Sequence, residues 1–163
     1  VARTVILGVG NLLLSDEGVG IHAAQRLMED EELRELGVEV LDGGTLGLDL
    51  LPIIESCDRL FIVDCVKGGE EPGTVYRFEP EDIKDVVDGI KMSIHDFNLV
   101  DVLNLAKALG KPLPKITIYG VEPESLSWSL ELTPRVELAL RRVVEELKKE
   151  VRAEARSAPP ASA

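Results

Sequence analysis

Two hydrophobic periods alternate along the chain. "TVILGV" (4–9) and "RLFIVDCV" (59–66) are unbroken β-branched and aliphatic runs. Such runs predict strands covered on both faces, as in a parallel sheet. "VEVLDGG" (38–44) and "KITIYGV" (115–121) read as two further strands. "GTVYRFE" (73–79) alternates instead, and it follows the turn-forming "KGGEEPG". It is predicted as an edge strand, antiparallel to the rest.

Between the strands the period changes to that of a helix. "GVGIHAAQRLMEDEELREL" puts Val19, Ala23, Leu27, Ala24 and Met28 on one stripe. "LGLDLLPIIES" (46–56) contains Pro52, so its helix is short or begins irregularly. "DFNLVDVLNLAKALG" (96–110) runs from Asp96 as N-cap to Gly110 as C-terminal stop. "TPRVELALRRVVEELKKEV" (133–151) opens with Thr133 as N-cap and Pro134 as first helical residue. Its stripe is Val136, Leu140, Val143, Val144, Leu147 and Val151. The order β-α-β-α-β-β-α-β-α describes a three-layer α/β/α domain around a mostly parallel sheet. Residues 1–150 are expected to form that single domain. The small, polar, Pro-containing stretch over 151–163 is expected to be a disordered tail.

Composition narrows the partners. A chain of 163 residues with 45% hydrophobic residues can bury one core. Its formal net charge of −12 argues against nucleic acid and anionic membranes, both of which need a basic footprint. No apolar run approaches the ~20 residues of a membrane span. The expectation is a cytoplasmic protein and, for want of a long exposed apolar stripe, a monomer. The two cysteines, Cys57 and Cys65, form no metal-binding spacing and read as buried small hydrophobes.

Ligands of open parallel sheets bind beyond the carboxyl ends of the strands, where strand order reverses. The polar residues expected there are Asn11, Asp16 and Glu17, then Asp42 in "DGGT", Asp64, His95 and "GVEPES". The loop "GVGNLLLSDEGVG" (8–20) is not a dinucleotide loop, because the third fingerprint glycine is replaced by Leu13 and two carboxylates stand where a pyrophosphate would lie. A phosphoacceptor receiver would use Asp16, Glu17 and Asp64. However, the acidic pair lies too far from its strand, and the last strand lacks a following lysine. The remaining reading is a metal site. Glu17 sits in a first helical turn capped by Ser15 or Asp16, where the dipole favours its ionised form. Asp64 ends a buried strand and calls for a partner. With His95 they make a carboxylate–carboxylate–imidazole set suited to Zn, Ni or Fe(II), with positions left open for water or substrate. Each has a simpler alternative: dipole complement for Glu17, loop cap for Asp64, surface residue for His95. His22 competes as the imidazole.

Together these segments resemble the nickel–iron hydrogenase maturation endopeptidases. The likeness rests on "VILGVGNLLLSDEGVG", "VEVLDGGTLGLDLL", "LFIVDCV", "PGTVYRF", "SIHDFNLVDVL", "ITIYGVEPESL" and "LTPRVE", in that order from about Thr4 to Glu150. The resemblance implies a five-stranded, mostly parallel sheet with one antiparallel strand. It implies removal of a C-terminal extension from the large-subunit precursor of a nickel–iron hydrogenase after nickel insertion. By the same resemblance, metal-binding and catalytic positions fall on Glu17, Asp64 and His95, and substrate handling on Asp42 with Gly43 and Gly44. The metal would be nickel, that of the precursor, with zinc or another divalent ion as surrogate. A non-catalytic escort of the precursor is the competing role.

Overall fold

The computed structural model describes residues 3–44, 50–80, 91–92 and 99–157. Five strands lie in the order β2-β1-β3-β6-β4: β1 (Thr4–Val9), β2 (Glu39–Gly44), β3 (Arg59–Lys67), β4 (Val75–Phe78) and β6 (Lys115–Val121). β1, β2, β3 and β6 are mutually parallel, and β4 pairs antiparallel with β6 at the edge, as its alternation predicts. A two-residue strand that the hydrophobic pattern does not predict, β5 (Lys91–Met92), pairs antiparallel with the end of β3.

The unbroken runs are buried on both faces. Along β3, Leu60, Ile62 and Val66 enter one core with Val5, Leu7, Ile118 and Ile54 of helix α3 (Leu50–Ser56). Phe61, Val63 and Cys65 enter the other, against α1 (Val19–Met28), α2 (Glu31–Glu35) and α5 (Pro134–Ser157). Each fully buried aliphatic side chain contributes about 1.5–3 kcal/mol, so β3 anchors both layers. Helix α4 (Leu99–Ala108) ends as expected at Gly110, whose φ of +70° only glycine adopts freely, with the Lys111 N–H bonded to the Ala106 carbonyl.

Two boundaries differ from expectation. The pattern over 18–36 is two helices, because Asp30 leaves helical geometry and caps α2 through the Leu33 N–H; Met28, assigned to the apolar stripe, is exposed. The presumed tail from 151 is helical as far as Ser157. Val151 is buried, Glu154 pairs with Arg59, and Arg152 with Glu32. These contacts hold the last turns where composition alone suggested disorder. Residues 158–163 of that tail and the Asp96 cap lie outside the described residues.

Candidate active site

The strand order reverses between β1 and β3, whose successors run to opposite sides, and the first acidic residues meet there. Close backbone contact brings them together. A Cβ on Gly20 would lie 2.2 Å from the Val63 carbonyl oxygen and 2.3 Å from that of Val9. The start of α1 therefore rests directly on the ends of β3 and β1. Gly10, at φ +142°, turns the chain off β1, and a Cβ there would meet the Glu17 carbonyl oxygen at 2.2 Å. The glycines of "GVGNLLLSDEGVG" serve helix–sheet approach rather than a phosphate.

The turn so placed is a short 3-10 helix, Ser15–Gly18, in which all residues are buried. Asp16 is fully buried and accepts four hydrogen bonds: the N–H groups of Glu124 (2.9 Å), Ser125 (3.0 Å) and Thr133 (2.8 Å), and the Thr133 hydroxyl (2.7 Å). It does not cap its own helix; neither the 3-10 turn nor α1 has a side-chain cap. Its charge instead faces the N-terminus of α5, whose dipole favours an anion. Ser15, at φ +51°, donates its N–H to Ser129 and its hydroxyl to the Glu131 carbonyl. The Glu17 turn is thus fastened to the loop that follows β6.

Glu17 is 3% exposed and Asp64, at the end of β3, is 0% exposed. Both act on the Cys65 thiol. Burial first, then the charges of Asp64 and Glu17, push that thiol far above the usual range, and Asp16 adds to the effect. Three carboxylates therefore cluster within electrostatic reach of one buried point. Two buried hard oxygen donors, one in the turn between β1 and α1 and one near the end of β3, fit a divalent cation. The third residue of the expected set, His95, lies outside the described residues, and the described ones alone contain no metal-holding group of three. Asp42 is exposed and its Oδ1 accepts the Gly44 N–H at 3.1 Å, at the register shift in the last residues of β2; Gly43 beside it is buried.

The chain is similar in sequence and fold to known proteins. The family model for hydrogenase maturation proteases matches residues 21–150. The hydrogenase 2 maturation protease of Escherichia coli is 36% identical over 146 residues, covering 89% of this chain and 88% of the relative. The hydrogenase expression/formation protein HupD of Rhodobacter capsulatus is 34% identical over 151 residues, covering 90% and 71%. In structure, the hydrogenase maturating endopeptidase HybD from E. coli superposes with a TM-score of 0.79 at 34% identity, with 93% of each chain covered. The chain belongs to the hydrogenase maturation proteases.

Its membership makes the chain an endopeptidase and removes the phosphoacceptor reading. Burial and the neighbouring carboxylates favour the protonated form of the Cys65 thiol in this protease. His22 is held below its ordinary value of 6.5, first by burial and then by Arg26. The shift favours the neutral ring on α1. Sequence reasoning named "GVEPES" but did not single out its Glu122, a buried carboxylate of the protease in addition to Asp16, Glu17 and Asp64. Its Oε1 accepts the Gly68 N–H (2.8 Å), the Glu70 N–H (3.2 Å) and the Tyr76 hydroxyl (2.6 Å), ordering the turn after β3. The available signal was its position, directly after a buried strand and opposite the glycines of "KGGEEPG".

Proposed function

We propose that this maturation protease removes the C-terminal extension of a nickel–iron hydrogenase large-subunit precursor once nickel is in place, with Glu17, Asp64 and His95 as the residues that engage the metal. The observation that carries this reading is the pair of buried carboxylates beside the point where sheet order reverses, Glu17 in the turn between β1 and α1 and Asp64 near the carboxyl end of β3. Burial of that much negative charge strongly favours a cationic ligand. Nickel arrives as part of the substrate; zinc or another divalent ion would serve as a surrogate. When bound, the ion polarises the scissile carbonyl or a water. Glu17 and Asp64 hold the charge that attracts it, and the Asp16 clamp keeps Glu17 in register. Asp42, with Gly43 and Gly44, borders the same sheet edge and is assigned to substrate handling.

With three side-chain ligands and oxygen donors dominant, affinity for free metal is expected to be modest. Cleavage then depends on metal already carried by the precursor, which makes it a check on nickel insertion. The test mixes the protein with nickel-loaded and nickel-free precursor and follows loss of the C-terminal peptide by intact mass. Cleavage of the loaded form alone is expected, and Glu17→Gln, Asp64→Asn and His95→Ala should each abolish it. Equal cleavage of both forms would remove the metal check. Full activity in the three variants would remove the site.

A further inference from the structure

Leu13, Trp128 and Leu130 are 51%, 79% and 61% exposed, and they belong to two loops joined at one place. The Ser129 N–H donates to the Leu13 carbonyl at 2.9 Å, the Ser15 N–H donates to the Ser129 carbonyl at 2.8 Å, and Leu14 and Ser129 form a parallel bridge. The Ser129 hydroxyl accepts the Glu131 N–H. A backbone so tied keeps the apolar side chains from retreating into the core. Exposed apolar area of this kind marks a contact surface, and tryptophan is the side chain most enriched at binding hot spots.

Two features identify the occupant. The patch is continuous with the candidate site: Leu13 and Ser15 run directly into the turn that carries Glu17, and Asp16 fastens that turn to 124–133. Its described rim is acidic, with Glu124 and Glu131 in the same loop and Glu71 beside them; Arg135 is shared between Glu71 and Glu124. An acidic rim on a chain of net charge −12 repels a second copy of itself and favours a basic partner.

We propose that Leu13, Trp128 and Leu130 form the docking surface for the folded body of the precursor substrate, through an apolar segment flanked by lysine or arginine. The proposal rests on the processing function above. It adds that recognition extends beyond the metal and the cut peptide bond.

The experiment measures binding of full-length precursor to the wild-type chain and to a Trp128→Ala/Leu130→Ser double variant, together with cleavage kinetics. Both side chains are exposed, so the variant should keep the wild-type melting temperature. The expected result is a Kd and KM weakened by roughly tenfold or more, with kcat at saturating precursor within about twofold of wild type. Glu124→Gln/Glu131→Gln should flatten the salt dependence of the association rate. Unchanged Kd and KM in the double variant would overturn the docking surface while leaving the protease reading intact. A wild-type chain that neither binds nor cleaves the precursor would overturn both. Sedimentation showing a wild-type dimer that the double variant loses would assign the patch to a second copy and overturn the proposal.

Discussion

Asp16 and Glu17 are adjacent, acidic and buried, yet their surroundings divide them. Asp16 satisfies four donors from the loop after β6 and the entrance to α5. Asp16→Asn turns an amide N–H toward groups that already donate, which should cost about 2–4 kcal/mol of stability. Activity should fall as well, because the Glu17 turn loses its fastening. Glu17→Gln removes one charge from a cluster of like charges. It should leave the urea midpoint unchanged or raised while cleavage of precursor is lost. Urea denaturation and a mass-based cleavage assay on both variants check the split. Equal destabilisation of the two would contradict the division of roles. From sequence, the acidic pair at the sheet edge was legible because loop position and charge are local properties. The partners of Asp16 were not, since they lie more than a hundred residues away and include backbone groups that carry no sequence signal.

At the scale of the elements, the strands were legible because a buried run or an alternation is fixed by the residues themselves, as in "RLFIVDCV" and "GTVYRFE". Elements decided by tertiary contact were less so. A two-residue strand such as β5 has no periodicity to read. Likewise, α5 continues past 151 because Val151 and Glu154 find partners on the body of the fold. A chain ending at Glu150 loses burial of Val151 and one carboxylate of the Arg59 network, and should be destabilised by about 2–4 kcal/mol in urea. The glycine-rich loop offers a sharper test of how α1 is seated. Alanine at an ordinary helical position gains about 1 kcal/mol over glycine. At Gly20 the new Cβ would collide with two carbonyl oxygens, so Gly20→Ala should instead lose roughly 3 kcal/mol or more. Gly37, at φ +74° with nothing within 4 Å, provides the control. Its alanine variant carries only backbone strain of about 1–2 kcal/mol. Thermal denaturation of the pair, with the order reversed, would refute the close seating of α1 on β1 and β3.

For the whole molecule, α5 is held to the rest of the fold by ion pairs whose carboxylates titrate below their usual range. At Glu32 and Glu137 the leading cause is an arginine hydrogen bond, from Arg152 and Arg26 respectively. At Asp30 and Glu150 burial is the largest influence and acts upward. It is outweighed at Asp30 by Lys148 and the Leu33 N–H, and at Glu150 by Arg77 and Tyr119. Each pair has one member on α5. Because the folded values lie below the unfolded ones, the unfolded chain binds more protons in the interval between them. The stability these pairs supply is complete above the ordinary values of 3.8 for Asp and 4.5 for Glu, and drains as pH falls through the depressed ones. His22 has the same sign in its own window below 6.5. Relief of self-repulsion opposes both as the net charge of −12 is titrated toward the pI of about 4.6. That term ends near the pI, just where the carboxylate pairs begin to fail, so stability should hold to about pH 5 and drop steeply below 4. A Lys148→Met/Arg152→Met variant returns Asp30 and Glu32 toward their ordinary values. Its urea midpoint should therefore start lower at pH 7 and fall less steeply between pH 4.5 and 3 than that of the wild type. Parallel acid limbs in the two chains would show that the clasp of α2 on α5 contributes nothing to the acid transition.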